Sequence, residues 1–198
     1  YSDAPPTYLD YENPFQMTIA TILSAHTTDK SVNSVTPELF KEYPDSEALM
    51  DADPDAVKEI IRPVGTYNRK TKYVMGTARM LVEDFGEEVP KTIKDLSKMP
   101  GISRKTANVI LQTVFDINEG VVVDTHIRRV TQRLEFTEEE RPEKIEKDLM
   151  DILPKDEWDD YARIVGAHGR ETCTARSPAC PSCPVNNLCP SAQLDEDQ

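Results

Sequence analysis

The sequence predicts an all-α protein of about ten short helices. Three observations predict it. Apolar residues recur three and four positions apart along most of the chain, which is the spacing of one helix face. Capping residues stand before those runs, and glycine or proline stands after them. Strand patterns are nearly absent: Val121 to Val123 is the one candidate, and it reads as a buried connector. No fixed-period repeat of the solenoid kind is present.

Residues 1–14, rich in Pro, Tyr, Asp and Asn, predict an extended lead-in. Phe15 to Ala25 follows as a helix with Phe15, Ile19, Ile22 and Leu23 on one face. The polar string His26-Thr27-Thr28-Asp29 breaks it, and Asp29 suits the N-cap of a helix from about Lys30 to Phe40. A turn at Tyr43 to Ser46 leads to a short helix at Glu47 to Met50. Asp53-Pro54 opens another that ends near Ile61, with Asp as N-cap and Pro at the first helical position. Tyr67 to Phe85 is the long amphipathic helix, with Tyr73, Val74, Ala78, Leu81 and Val82 inward and Gly86 as its stop. Ile93 to Ser97 is short. A helix then begins near Ser103 and runs through Val114, followed by helices at Thr125 to Leu134, Pro142 to Leu153 and Asp156 to His168.

At 198 residues the chain can bury a sizeable core as one large domain or two small ones. Hydrophobic content of 38% and charged content of 30% fit a soluble globular protein. No apolar stretch is long enough to cross a membrane, and no secretory signal is visible. The first residue is Tyr1, so the chain is expected to start inside a longer product. The net charge of −13 does not advertise a nucleic-acid binder, but the charges are uneven. Arg62 to Arg79 holds Arg62, Arg69, Lys70, Lys72 and Arg79 with no acid, while acids gather at Asp45 to Glu59 and Glu135 to Asp160. A basic face on an acidic body suits DNA. Charge alone favours the plainer reading of a solvated mixed-charge surface.

The chemistry concentrates between Leu96 and Val130. Met99-Pro100-Gly101 turns the chain sharply, because Pro fixes φ and Gly tolerates positive φ. With Ser103 as N-cap, backbone N–H groups of the turn and of the next helix are free to hold an anion such as phosphate. Lys105 sits in the first turn of that helix, where it could serve as a reactive amine or merely contact phosphate. Val121 to Val123 then delivers Asp124 to the start of another helix, as a reactive carboxylate, an N-cap or both. A weaker echo lies upstream: Val64-Gly65-Thr66-Tyr67-Asn68 also puts a glycine turn before a basic helix.

All four cysteines fall near the end, as Cys173, Cys180, Cys183 and Cys189, spaced C-x6-C-x2-C-x5-C. Four thiolates so close together suit an iron–sulfur cluster or tetrahedral zinc. Two disulfides are the remaining alternative and fit poorly with this chain length and no secretion signal. Pro178, Pro181, Pro184 and Pro190 would stiffen loops around such a centre.

With these residues in place the chain resembles endonuclease III, of the helix–hairpin–helix DNA glycosylase superfamily. Three motifs carry the resemblance: MPGISRKTANV at Met99 to Val109, VDTH at Val123 to His126, and the cysteine tail. ILSAHTTD at Ile22 to Asp29 and VGTYNRK at Val64 to Lys70 extend it over nearly the whole chain. The resemblance implies a two-domain, all-α fold: a six-helix barrel over residues 9–117, and an iron–sulfur cluster domain from residues 1–8 and 118–198. It implies an active-site groove between them and a [4Fe-4S] cluster on Cys173, Cys180, Cys183 and Cys189. Lys105 falls on the family's catalytic lysine and Asp124 on its catalytic aspartate; Gly101, Ser103 and Arg104 fall in the DNA-binding hairpin. The expected partner is damaged double-stranded DNA, bound by a monomer inside the cell, cytoplasmic or nucleoid-associated if the source is prokaryotic. The expected reaction is removal of oxidised pyrimidines with AP-lyase cleavage. The neutral amine needed for attack would be favoured by the helix N-terminus and partial desolvation.

The sequence departs from the family pattern at three places. His26 stands where glutamine is common and Thr66 where leucine is common. In the family those side chains fill the gap left by a flipped base and probe the opposite strand, so lesion spectrum and opposite-base preference are the properties placed in doubt. Ser103 replaces a usual hairpin glycine, and its N–H can still face a phosphate. Two other functions stay open at this point: a mismatch-type thymine/uracil or adenine glycosylase, against which Lys105 argues, and a non-catalytic DNA-binding iron–sulfur module.

Overall fold

A hydrogen-bonded helix interior needs an apolar stripe to bury, and nearly every run with that stripe is helical in the computed structural model, which describes residue 5 and residues 7–193. Of the extended lead-in, residues 1–4 and 6 lie outside the described residues. Among the described residues there are eleven α-helices and no strand. Thr7–Ile117 form one compact unit, and the described residues from Asn118 onward form another.

The first unit is built around α1 (Pro14–Ser24), whose N-terminus is capped by the Asn13 side chain accepting from the Gln16 N–H. The sequence suggests one apolar face for α1, yet every residue from Phe15 to Leu23 is buried. Neighbouring helices enclose it, and its threonines are satisfied locally: Thr18 donates to Pro14 O at 2.8 Å and Thr21 to Met17 O at 2.7 Å. Met17, Ile19, Ile22 and Leu23 are each at most 1% exposed. Each buried aliphatic of this kind contributes about 1.5–3 kcal/mol.

The single helix expected from Lys30 to Phe40 is two: α2 (Asp29–Asn33) and α3 (Thr36–Glu42). Pro37 lacks an N–H and sits in the first turn of α3, so the chain restarts there. The cap of α2 is Thr28, which accepts from Ser31 N, and Asp29 lies inside the first turn. Then come α4 (Ser46–Met50), α5 (Pro54–Ile61) capped by Asp53, and a 3₁₀ turn at Arg62–Val64. The long helix α6 (Tyr67–Phe85) stops at Gly86 in the left-handed conformation, with φ 59°. A single turn α7 (Ile93–Leu96) leads into α8 (Arg104–Phe115).

The second unit holds α9 (Thr125–Arg133), α10 (Pro142–Ile152) and α11 (Trp158–Glu171), then two 3₁₀ turns at Cys180–Ser182 and Asn186–Leu188. Val121 and Val123 are buried without strand pairing and join Ile127, Ile145, Leu149 and Trp158 in a separate core. Where α9 crosses α11, Gly169 leaves room: a Cβ there would lie 2.9 Å from His126 Cβ. No helix among the described residues is long and apolar enough to cross a membrane.

Candidate active site and metal centre

Between α7 and α8 the backbone makes a type II turn: Met99 O accepts from Ile102 N at 3.2 Å, Pro100 stands at the second position, and Gly101 has φ 83°. The turn is pressed against α6. Thr77 donates to Pro100 O at 3.1 Å, and a Cβ on Gly101 would meet Tyr73 Cδ2 at 2.7 Å. Ser103 is the N-cap of α8; its Oγ accepts from Thr106 N at 3.2 Å. Gly101, Ser103, Arg104 and Lys105 are all exposed. The amine therefore stands in solvent on the first turn of the helix, and any desolvation of it has to come from a bound molecule.

Two other turns of the first unit carry the residues expected to meet the opposite strand. His26, after α1, has φ 55°, and Thr66, before α6, has φ 45°. Both side chains are exposed. A β-branched residue in the left-handed region is an outlier, and it follows Gly65 at φ 63°, ψ 159°, a conformation open almost only to glycine. The basic run Arg62 to Arg79 is less of a face than its composition suggests. Lys70 is 2% exposed and donates to Thr27 Oγ1 and to Val64 O.

In the second unit Asp124 is the N-cap of α9. Its Oδ1 accepts from His126 N and Ile127 N, each at 2.8 Å, and its Oδ2 lies 3.4 Å from Arg170 Nη2. Capping and charge are thus divided between the two oxygens, and the side chain keeps 17% exposure. His126 Nδ1 lies 3.3 Å from Arg129 Nη2, so it braces α9.

The four cysteines line one hollow behind α9, with Val130 and Leu134 on its wall. All four thiols are free and half-buried. Four cysteine side chains on one hollow are a donor set suited to an iron–sulfur cluster or a tetrahedral zinc. Nitrogen groups reach the sulfurs: the Arg133 guanidinium Nη1 is 3.1 Å from Cys173 Sγ, and His168 Nε2 is 3.8 Å from Cys183 Sγ. Burial holds His168 below the usual imidazole range, which favours the neutral ring beside the thiols. These features fit an anionic thiolate-bound cluster.

Sequence reasoning had no reason to single out Lys70, Thr27, Arg129, Arg133 or Arg170. The arginines at 129 and 133 are four apart on α9, so they share a face. Arg129 donates to Cys173 O and Gly169 O, and Arg133 to Thr174 O and Ala175 O. That spacing was their only signal.

Residues 19–155 match the family described as HhH-GPD superfamily base excision DNA repair protein, and residues 173–189 match the iron-sulfur binding domain of endonuclease III. Endonuclease III from a Synechocystis species is 46% identical over 93% of this chain and 84% of its own length. That of Escherichia coli is 38% identical over 93% and 87%. Among solved structures, a non-covalent endonuclease III–DNA complex superposes with a TM-score of 0.90 at 38% identity, covering 96% of this chain and 88% of the other. A trapped endonuclease III–DNA covalent intermediate gives 0.90 and 38% over 96% and 89%. The chain belongs to the endonuclease III family of base-excision DNA glycosylases, a DNA-binding family whose [4Fe-4S] cluster the four cysteines here would hold.

Proposed function

We propose that this chain is a bifunctional glycosylase and AP lyase that removes oxidised pyrimidines from duplex DNA as a monomer inside the cell. The observation that carries the reading is Lys105: an exposed amine two residues beyond the Ser103 cap, on a helix entered through an anion-ready turn. The likeness to a relative trapped as a covalent DNA intermediate supports it. The barrel, residues 9–117, supplies phosphate contacts through Gly101, Ser103 and Arg104; residues 1–8 and 118–198 supply Asp124 and the cluster cysteines.

The chemistry follows from the groups. Neutral Lys105 attacks C1′ of the lesion's deoxyribose, and the N-glycosidic bond breaks, its electron pair leaving with the base. Positive charge develops on the sugar, and the Asp124 carboxylate, held still by its cap, stabilises it. Opening of the ring gives a protonated Schiff base. That acidifies a C2′ proton, whose removal expels the 3′ phosphate; water then releases the lysine. The target base leaves the stack to be reached, and His26 and Thr66 occupy the gap and meet the opposite strand. Cys173, Cys180, Cys183 and Cys189 would hold the cluster, which would supply structural support to the tail.

Borohydride reduction tests this directly, because it traps a Schiff base as a stable protein–DNA adduct. The wild-type chain forms the adduct on an abasic duplex; Lys105→Gln forms none while still shifting that duplex in a gel. An undiminished adduct with Lys105→Gln removes the nucleophile's assignment.

A further inference from the structure

Lys70 is a buried ammonium for which nothing in the reaction above has a use. It is 2% exposed, and the oxygens it meets are uncharged: Thr27 Oγ1 at 2.5 Å and Val64 O at 2.8 Å. The Thr27 hydroxyl itself donates to Val64 O at 2.5 Å, so the three groups close a triangle. The charge acting on Lys70, that of Arg69 beside it, has the same sign, and burial together with Arg69 brings its pKa down to about 8. An apolar side chain would fill this place at lower cost, since a buried charge without a counter-ion is unfavourable. What the ammonium adds is direction. It has several N–H donors on one centre, and it spends two of them on two different turns.

Those turns are not arbitrary. Thr27 directly follows His26, and Val64 directly precedes Gly65-Thr66. His26, Gly65 and Thr66 all have positive φ, which persists only where surrounding structure over-determines it. We propose that Lys70 is a positioning residue for reading the strand opposite the lesion: with Thr27 and Val64 it locks the turn bearing His26 to the turn bearing Thr66, so that the two side chains enter DNA as one rigid pair. This rests on the role given to His26 and Thr66 above. Neither side chain needs to be long if its backbone is fixed, which suits a threonine standing where leucine is usual. The Lys70 ammonium touches no DNA in this arrangement and acts only through the two turns.

The test uses the full chain with its cluster, in wild-type, Lys70→Met, Lys70→Arg and Thr27→Val forms. Excision is measured on duplexes carrying one oxidised pyrimidine opposite each of the four bases. Cleavage is also measured on a single-stranded abasic oligonucleotide, where no opposite strand needs reading. Lys70→Met keeps a melting temperature at or above wild type, because the unfavourable charge is gone and Val64 O keeps its bond from Thr27. Its single-turnover rate on duplex falls roughly ten- to a hundredfold, the penalty of a misplaced group. Its spread of rates over the four opposing bases flattens, and its single-strand cleavage stays within about twofold of wild type on the same positioning argument. Lys70→Arg, which keeps a charged donor, recovers part of the duplex rate, and Thr27→Val falls between. Unchanged duplex rates and an unchanged opposing-base spread in Lys70→Met overturn the proposal. So does an equal loss on single strands, which marks a general structural role. A wild-type chain that leaves an abasic duplex uncut refutes the lyase reading instead, so the two failures are distinguishable.

Discussion

Replacing Gly101 by alanine tests the turn proposed to hold DNA at the start of α8. Two costs apply. The residue has φ 83°, where an L side chain is strained by about 1–2 kcal/mol. The new Cβ would also lie 2.7 Å from Tyr73 Cδ2, 3.0 Å from Cγ and 3.1 Å from Cβ, and Tyr73 Cβ is fixed to α6 and cannot swing away. Overpacking of this kind costs about 1–3 kcal/mol. Stiffening of the unfolded chain returns about 0.4–1 kcal/mol. The balance is a destabilisation of about 2–4 kcal/mol, or a fall in Tm of roughly 5–15 °C for a chain of this size. Gly86→Ala is the matched control. Its φ of 59° is also positive, but nothing lies within 4 Å of its Cβ, so only the strain applies. Thermal melts by circular dichroism compare the two, and titration of an abasic-site analogue duplex reads the turn's function. Gly101→Ala should melt several degrees below Gly86→Ala and bind about tenfold more weakly, a loss near 1.4 kcal/mol. Equal melting of the two variants would refute the Tyr73 clash, and wild-type affinity in a folded Gly101→Ala would refute the turn's part in holding DNA.

Asp124→Asn keeps an acceptor for His126 N and Ile127 N, so the cap survives and the charge does not. Base excision should fall much more than cleavage of a preformed abasic site; equal losses on both substrates count against the carboxylate's role. Asp124→Ala also removes the cap and should melt lower than Asp124→Asn by the equivalent of about 1 kcal/mol; identical melts would mean that the cap contributes nothing. For Lys70, the folded chain holds its proton with a pKa of about 8 against the ordinary 10.5, so between those values the unfolded chain binds more protons and folding stability rises with pH. The buried charge therefore opposes folding fully below pH 8, and is relieved above it, by about 2 kcal/mol after allowance for solvent screening. Urea titrations at pH 7 and pH 10 should show Lys70→Met ahead of wild type at pH 7 and the gap narrowing at pH 10, with Arg69 charged throughout. A constant gap rules out burial of the charge as its cause.

Much of this was legible in the sequence, for definite reasons. Gly86 after a 3.6-residue pattern marks the end of α6, and Pro100-Gly101 before Ser103 specifies both the turn type and the cap. Clustered cysteines marked the metal centre because four thiols at such close spacing, with none elsewhere in the chain, act as one metal-binding device. Elsewhere the local code was outvoted or silent. Pro37 should have divided the helix expected from Lys30 to Phe40, since it removes a donor that a continuous helix needs. The full enclosure of α1 is a property of its neighbours and leaves no trace in its own spacing. The break at His26 and the glycine turn before Tyr67 were legible, but threonine gives no warning of positive φ and histidine only a weak one, so the left-handed backbone at His26 and Thr66 became visible only as geometry. Lys70 looked like one more surface charge in a basic run, because burial of a lysine depends on oxygens from segments far away in sequence.

The cysteine tail is easily pictured as an appendage tied off by a metal. The bonds of α9 describe something different. Arg129 and Arg133 spend their guanidinium donors on Cys173 O, Cys173 Sγ, Thr174 O and Ala175 O, all contributed by the segment that begins the tail. Nine helical residues span only about 14 Å, and Asp124 stands at the opposite end of them. Trimming the chain before Cys173 would strip Arg133 of Cys173 Sγ, Thr174 O and Ala175 O and leave Arg129 with Gly169 O but without Cys173 O, so the helix that orients the carboxylate would lose most of its mooring at one end. The segment that begins at Cys173 is therefore scaffolding for a residue that precedes it by about fifty positions.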